Sequence, residues 1–341
     1  MPSPNLTELI TTTLRNRSKD IGDAVTRNDV LLMKLSERGK KTFTGGRTIT
    51  CPIEYANNTT YLRYSGYDLL DNTPSDIMTA AEYPIRQAAV AISMSGLEML
   101  QNAGKERAIP LLASRIKNAA TTAKNGMAYD VAGDGTLPGQ ILGLQALIST
   151  TPTVGTIGGI DRSLWTFWQN QKYSALTDGG AALSVANIQR YMTTLFLRMV
   201  QGTMAPDMGV ADNTTFMLYQ ESLTAIQRIT STTKGLNGFA NLAFQSAGKE
   251  VPIYLGGGFQ GSAGDGNRFG PGRTGAVGGV PASTLYFINS ENMDFMVHAD
   301  RDWAPLDPDR VSINQDAVVK FIGFAGNLTV NSMINHGVLT A

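Results

Sequence analysis

The first apolar and polar pattern in the chain predicts a helical arm over residues 1–42. Between Leu6 and Lys41, apolar residues recur at intervals that suit a helix, and Gly22 divides the segment into two pieces. Eight basic and five acidic side chains give the segment a net charge of +3. We expect such an arm to dock on another surface, with Leu9 and Leu14 among its contact residues.

The pattern then changes to alternation, which is typical of a strand. One face carries Ile49, Cys51, Ile53 and Tyr55. Asn57 and Asn58 favour a turn, and the β-branched and aromatic segment Thr59 to Tyr64 predicts a returning strand. Because a two-stranded hairpin is marginally stable alone in water, we expect this one to need a partner surface. Its candidate contact residues are Ile49, Ile53, Tyr55, Tyr61, Arg63 and Tyr64.

The longest helical pattern follows an extended run from Ala81 to Ser95 and a short helix from Leu97 to Asn102. Apolar residues at helical spacing predict one helix from about Lys105 to Val131. Its buried stripe comprises Ile109, Leu112, Ile116, Ala119, Ala123 and Met127. At about 1.5 Å per residue, this helix would be roughly 40 Å long.

A second unit is predicted between Thr150 and Leu255, where loops alternate with helices. The pattern predicts one helix that Ser184 can cap and that runs to about Val200, and another from about Gln220 to Ile229. The inward side chains of the first helix are Ile188, Met192, Leu195, Phe196 and Met199. Eleven of the 24 residues from 256 to 279 are glycine, which predicts a long loop.

The last part of the chain returns to strand patterns at Leu285 to Ile288, Met293 to Val297 and Ala317 to Val330. Strands so late in the sequence can pair with the early extended run near Val90. We therefore expect an α+β fold in which the chain leaves its first domain and comes back to it.

Composition narrows the classes of function. The 341 residues suffice for one large domain or two smaller ones, and 28 basic residues balance 28 acidic ones. The chain therefore lacks the basic excess of a dedicated nucleic-acid binder. No apolar run approaches the about 20 residues that a membrane span needs. Cys51 is the only cysteine, which excludes an intramolecular disulfide and suits a reducing compartment.

Few side chains suggest catalysis. A Cys–His pair would have to join Cys51 to His298 or His336, and the position of Cys51 in a strand favours structural burial instead. The glycines that follow the apolar run Val251 to Leu255 resemble a phosphate cradle. However, they lack both the Gly-Lys-Ser/Thr ending and the following helix of nucleotide sites.

One acidic run could present oxygen and imidazole ligands to a cation. His298, Asp300 and Asp302 form a His-x-Asp-x-Asp sequence, and Asp307 and Asp309 lie close by. A complete set of ligands at a recognisable spacing is missing, which favours solvated loop charges. We predict no catalytic residue, no cofactor and no metal.

Several short sequences occur along the chain in a characteristic order. They are Val90 to Ser93 with Leu97 to Leu100 before the long helix, Gly139 to Leu144 after it, Gly159 to Ser163 with Trp165 and Trp168, Leu285 to Asn289, and Gly326 to Asn331. Together with the order of predicted elements, they resemble the major capsid proteins of tailed double-stranded DNA bacteriophages, which have the Hong Kong 97-like fold. The resemblance covers nearly the whole chain and contains no catalytic signature.

The resemblance implies a domain organisation. Residues 1–42 would form the N-terminal arm, and residues 43–76 the E-loop hairpin that overlaps a neighbouring subunit. Residues 77–155, with a spine helix at about 105–131, and the returning strands in residues 280–341 would form the peripheral domain. Residues 156–279 would form the axial domain, including the Gly-rich loop 256–279. Trp165 and Trp168, near the start of the axial domain, join the candidate contact residues.

The resemblance also implies a structural role without enzymatic activity. Such subunits assemble as pentamers and hexamers into an icosahedral-type shell that encloses double-stranded DNA, and assembly takes place in the host bacterial cytoplasm. The implied partners are further copies of the chain, portal, scaffolding and decoration proteins, and packaged DNA through non-specific contacts, without a membrane. Two alternatives remain open: an encapsulin-type protein compartment of the same fold, and a catalytic α/β protein.

One departure from the family pattern concerns the locking of subunits. Some relatives form a Lys–Asn isopeptide bond whose lysine lies on the E-loop. Here no lysine occurs from Thr42 to Gly104. We therefore predict subunit contacts that are non-covalent.

Overall fold

The computed structural model describes residues 30–37, 41–101, 105–224, 241–256, 280–306, 310–311 and 317–341. The α-helices are α1 (Val30–Glu37), α2 (Gly96–Gln101), α3 (Lys105–Ala132), α4 (Leu144–Leu147), α5 (Ile188–Met199) and α6 (Asn213–Thr224). The strands are β1 (Lys41–Phe43), β2 (Thr48–Glu54), β3 (Met78–Pro84), β4 (Arg86–Ser95), β5 (Thr156–Ile157), β6 (Ile160–Asp161), β7 (Gln171–Ser174), β8 (Met208–Ala211), β9 (Asn241–Ser246), β10 (Lys249–Leu255), β11 (Leu285–Ile288), β12 (Met293–His298), β13 (Ala304–Pro305), β14 (Arg310–Val311), β15 (Ala317–Val330) and β16 (Gly337–Thr340). Single 3-10 turns occupy Thr166–Trp168 and Ser290–Asn292.

The first sheet is organised around β15, which has neighbours on both edges. β4 pairs with it antiparallel along one edge, with Val90 opposite Ile322. The other edge pairs in turn with β12, β13 and β14, and β1 adds to β12 in parallel. The predicted pairing of this late strand with the extended run near Val90 is therefore confirmed.

The long helix α3 packs on β4 through one apolar stripe. The buried members of the stripe are Ile116, Ala119, Ala123, Met127 and Val131. On the strand, Ile92 and Met94 are buried in the same core. The predicted helix and this part of its stripe are confirmed, whereas the side chains of Ile109 and Leu112 lie outside the described residues.

A single buried side chain joins the exit of the long helix to the first sheet. The carboxamide oxygen of Asn327 in β15 accepts the N–H of Leu142 (2.8 Å), and its nitrogen donates to the carbonyl of Pro84 (2.8 Å). Asn327 is fully buried. Leaving such a group without partners would cost about 1–3 kcal/mol, so both bonds fix where these segments meet.

The second sheet has the strand order β7-β16-β11-β8-β10-β9. Helix α5 covers it, and its predicted inward residues are all fully buried: Ile188, Met192, Leu195, Phe196 and Met199. The ring of Phe196 lies 5.7 Å from the rings of both Phe244 and Phe287. These contacts form a second core cluster, as the helical pattern predicts.

Two predicted helix boundaries differ from the structure. Helix α5 begins at Ile188, and its N-cap is Asn187 rather than the predicted Ser184. Helix α6 begins at Asn213 rather than near Gln220, because the Asp212 carboxylate accepts a backbone N–H of its first turn (3.0 Å). The predicted end of this helix lies outside the described residues.

The prediction that all of residues 280–341 return to the first sheet is wrong for two strands. β11 pairs with β8 and β16, and β16 pairs with β7, so both belong to the second sheet. All four residues of β11 are buried, as expected for a strand inside a sheet that is covered on both faces. The chain therefore crosses between the sheets more often than the sequence pattern indicates.

Only the end of the predicted N-terminal arm is described. In α1 the buried side chains are Val30, Leu31, Leu32, Met33 and Leu35. They pack against β12, so this part of the arm docks on its own chain rather than on another surface. Leu9 and Leu14 lie outside the described residues, as does the Gly-rich loop after residue 256.

We predict that Gly143→Ala destabilises the fold and that Gly126→Ala does not. A Cβ atom at Gly143 would collide with backbone atoms of Asp130 and Gly133, whereas a Cβ at Gly126 in α3 meets open space. Gly143→Ala should lower the free energy of unfolding by about 1–3 kcal/mol. Gly126→Ala should raise it by about 0.5–1 kcal/mol, because alanine favours helices. Urea denaturation compares the variants, and a wild-type midpoint for Gly143→Ala would contradict the close approach.

Candidate subunit interface

A projecting arm, residues 55–77, leaves the chain between β2 and β3. The two strands pair over their whole length, and the Tyr55 N–H donates to the Ile77 carbonyl (3.0 Å) to close the ladder. Residues 56–76 contain no strand. The predicted hairpin therefore exists, but its predicted returning strand at Thr59 to Tyr64 is wrong, because β3 takes that place.

Local hydrogen bonds explain why the arm does not form a ladder of its own. The Asn58 carboxamide oxygen accepts both the N–H (2.9 Å) and the hydroxyl (2.7 Å) of Thr60. Asp71 accepts the same two groups of Thr73 at 2.9 and 2.5 Å. Such bonds offer the backbone an alternative to sheet pairing, and here they override the β-branched and aromatic composition.

The arm exposes large apolar side chains to solvent. They are Tyr61, Leu62, Tyr64, Tyr67, Leu69 and Leu70, and Tyr67 and Leu69 are almost fully exposed. Arg63 is the only basic residue between positions 55 and 77. Large contiguous apolar patches on soluble proteins mark interaction surfaces, so the arm is a candidate site for contact with another molecule.

An aromatic cluster supports the root of the arm. The ring of Phe167 lies 5.4 Å from Tyr55 and 5.8 Å from Trp165. Trp165 is 49% exposed, whereas Trp168 is 0% exposed and donates its indole N–H to the Ile157 carbonyl (2.9 Å). Of the two predicted tryptophans, Trp165 therefore keeps an outer surface and Trp168 belongs to the core.

An open groove of about 730 Å³ lies between this root and the loop at residues 158–167. We call it the acidic groove, because its lining carries the carboxylates of Asp76, Glu82 and Asp161 and no basic side chain. Its apolar walls come from Tyr55, Met78, Leu164, Trp165 and Phe167. The groove thus combines negative charge with exposed aromatic and aliphatic surface.

Hydrogen bonds fix the shape of the acidic groove. The Glu82 N–H donates to the Gly158 carbonyl (2.9 Å), which holds the loop directly against β3. Gly158 has a φ of +60° and its missing Cβ would collide with Ala81, so only glycine fits. The hydroxyl and N–H of Ser163 both donate to Asp161 (2.8 Å) and hold the pKa of its carboxyl below the ordinary value. Asp161 is therefore ionised at neutral pH.

Arg162 anchors the groove loop from below. Its guanidinium is buried and donates to the Leu147 carbonyl, with a further contact to the Met333 sulfur (3.6 Å). Burial lowers the pKa of Arg162 to about 10, so the group stays cationic at neutral pH. Because Asp161 and Arg162 are adjacent in sequence, this anchor also positions the carboxylate of the groove.

The structure separates the predicted contact residues into three groups. Side chains with outer surface are those of Tyr55, Tyr61, Arg63, Tyr64 and Trp165. Ile49, Ile53 and Trp168 contact the core of their own chain, so they are corrected to core residues. Leu9 and Leu14 lie outside the described residues. No local sequence signal points to Asp76, Glu82 and Asp161, because they lie on distant segments that meet only in the folded chain.

The candidate catalytic and metal-binding residues that the structure describes form no cluster of three ligands. Cys51 is half-buried, and burial raises the pKa of its thiol. His298 accepts the Asp300 N–H at its Nδ1 atom (3.1 Å). Across the described residues, no three His, Cys, Asp or Glu side chains are placed to hold a metal, and Asp307 and Asp309 fall in a gap of that description. In the same residues, no helix is both long enough and apolar enough to cross a membrane.

Comparison with known proteins identifies the fold. No protein-family model and no curated protein matches the chain. Among solved structures, a chain of the cyanophage A-1(L) capsid asymmetric unit superimposes with a TM-score of 0.62 at 13% identity, covering 91% of both chains. A chain of Mycobacterium phage Bobi superimposes with a TM-score of 0.50 at 10% identity, covering 92% of this chain and 90% of that one.

These superpositions confirm the predicted α+β, Hong Kong 97-like fold over most of the chain. A further match is the SrpI encapsulin complex from Synechococcus elongatus PCC 7942, with a TM-score of 0.43 at 8% identity over 89% of this chain and 85% of that one. Because the sequence identities are this low, the comparisons establish the fold alone.

The buried His336 supplies a measurable test of the core. It is fully buried, its Nδ1 atom accepts the Asn289 N–H (3.3 Å), and among the described residues its Nε2 atom has no partner. Burial lowers the pKa of His336 to about 3. The imidazole is therefore neutral in the folded chain at neutral and mildly acidic pH.

We predict that wild-type stability falls as the pH decreases from about 6.5 toward 3. Below about pH 6.5 His336 becomes protonated in the unfolded chain but stays neutral in the folded chain. The free energy of unfolding therefore falls by up to about 1.4 kcal/mol per pH unit. His336→Asn keeps an acceptor near Nδ1 and should flatten this slope. Urea denaturation between pH 7 and 5 measures the slopes, and equal slopes for wild type and His336→Asn would count against the buried neutral histidine.

Proposed function

We propose that the chain is the structural subunit of a phage capsid, a non-enzymatic protein whose copies assemble as pentamers and hexamers into a closed shell around double-stranded DNA. The projecting arm carries this proposal. It presents large apolar side chains to solvent on a chain that has the fold of a phage capsid chain over 91% of its length.

The physical argument begins with the cost of leaving the arm uncovered. Each large apolar side chain that becomes fully buried contributes about 1.5–3 kcal/mol before the costs of association. Within the chain, residues 61–70 remain exposed, so most of this free energy is not gained by folding alone. A second copy can supply the cover, and a head-to-tail contact of this kind closes into a ring when its rotation suits.

The remaining partners follow from the same proposal. Because basic and acidic residues balance, contact with packaged DNA would be non-specific and local. Portal, scaffolding and decoration proteins are further proposed partners. Assembly would take place in the host bacterial cytoplasm, and the final location would be the virion capsid.

We predict that the purified chain forms closed shells and that Leu69→Ser with Leu70→Ser prevents their formation. These leucines are exposed, so the free energy of unfolding should change by no more than about 0.5 kcal/mol per substitution. The matched control is Leu176→Ser with Leu197→Ser, which removes two exposed leucines outside the arm. Electron microscopy counts the shells formed by each variant, and thermal unfolding checks that each variant is folded.

Two outcomes of this experiment count against the proposal. A wild-type chain that stays monomeric at high concentration would contradict a container of any kind. Shells that form equally well without the two leucines would show that assembly does not depend on the apolar surface of the arm. DNA that resists DNase inside shells from infected cells supports a capsid, whereas protein cargo without DNA would favour a protein compartment.

We also predict that mature shells separate into single chains on a denaturing gel. The arm contains no lysine, so it cannot supply the amine of an isopeptide bond to a neighbour. Boiling in detergent should therefore give one band at the mass of the monomer. A ladder of covalent oligomers that persists under reducing conditions would show that another residue locks the subunits.

A further inference from the structure

The acidic groove and one segment of the arm have complementary chemistry. The groove combines three carboxylates with apolar walls. The Arg63 segment, Tyr61 to Tyr64, places the only basic residue of the arm among two tyrosines and a leucine. All four of these side chains are exposed, and none of them lines the groove of its own chain.

We propose that, in the shell, the Arg63 segment of one copy occupies the acidic groove of a neighbouring copy. This inference rests on the proposed function and names the surface that receives the arm. The Arg63 guanidinium would face the carboxylates of Asp76 and Glu82. The flanking aromatic and aliphatic side chains would pack on Leu164 and Trp165, which are 74% and 49% exposed.

Electrostatics favour this occupant over another part of the arm. From position 67 onward the arm carries Asp68, Asp71 and Asp76 and no basic residue, so this returning part would be repelled by the groove. A guanidinium has five N–H donors in a planar arrangement and can bind more than one carboxylate. It also stacks favourably on aromatic faces such as that of Trp165.

The length of the arm allows the contact to join two copies. Tyr55 and Asp76, near the two ends of the arm, line the groove of their own chain. Arg63 lies eight residues beyond Tyr55, which corresponds to at most roughly 28 Å of extended chain. This is about the diameter of a small domain, so the segment can reach the surface of an adjacent copy. Each copy then offers one arm and one groove, and the contact repeats around a ring.

Disulfide cross-linking tests the contact directly. In a Cys51→Ser background, which removes the only native cysteine, Leu62→Cys marks the Arg63 segment and Leu164→Cys marks the groove. Purified shells are oxidised and run on a non-reducing denaturing gel. We expect most of the protein to move from the monomer band to a ladder of cross-linked oligomers larger than dimers. The ladder should return to the monomer band when a reductant is added.

Two matched controls define the background of this experiment. The variant with Leu62→Cys alone has one thiol per chain, so its disulfides can give dimers at most. Leu62→Cys with Leu176→Cys places the second thiol at an exposed leucine that does not line the groove, so it should give no ladder. Shells without cross-links, or only an intrachain disulfide at the monomer position, would overturn the inference while leaving the container intact. Failure of the wild-type chain to form shells would instead refute the proposed function.

A charge exchange provides an independent readout. Arg63→Glu and Glu82→Arg should each reduce the yield of shells, whereas the double variant should restore it, because both charges then exchange places in every copy. Arg301→Glu changes the same charge at an exposed residue outside the arm and groove, and it should leave the yield unchanged. If the double variant assembles no better than either single variant, the proposed pairing is refuted.

Discussion

The pairing of β15 on both of its edges is the constraint on which the rest of the fold depends. This strand, close to the end of the chain, receives β4 on one edge and β12, β13 and β14 on the other. Asn327 within it also binds the exit of the long helix and the end of β3. Because these partners are far apart in sequence, forming the sheet requires the closure of long loops. Once β15 is in place, the positions of β4, of α3 on β4 and of the end of β3 follow.

The same strand explains how the chain can carry an exposed arm. The Tyr83 hydroxyl donates to the Val330 carbonyl (2.8 Å) and accepts the Val330 N–H (3.3 Å), both inside the core. β3 is thereby attached to the end of β15, and β2 is held by its pairing with β3. The root of the arm is therefore supported by the core of its own chain. The arm does not need a partner in order to project, and its apolar side chains stay available for one.

Sequence periodicity predicted the elements whose burial repeats along one segment. The stripe of α3 and the inward face of α5 were visible in this way, because each buries the same face over many residues. The extent of β15 was visible instead as a run of strand-forming residues, and its residues 322–330 are all buried. The returning strand of the hairpin was predicted at the wrong residues. Thr59 to Tyr64 has strand-forming composition, but Asn58 diverts its backbone into a turn, and β3 pairs with β2 instead. The assignment of β11 and β16 to the second sheet, and the acidic groove itself, depend on residues that are distant in sequence. A local sequence pattern cannot predict which distant strands pair.

The construction of the acidic groove links one subunit contact to the next. Its walls come from the root of the arm, from β3 and from the loop that Arg162 anchors. A segment docked in the groove would therefore touch Tyr55 and Asp76, the residues from which the receiving copy extends its own arm. Because the core already holds this root in place, a docked segment would be positioned relative to the arm that reaches the following copy. Under this arrangement each contact fixes the direction of the next one, and a ring closes when the rotation between copies suits.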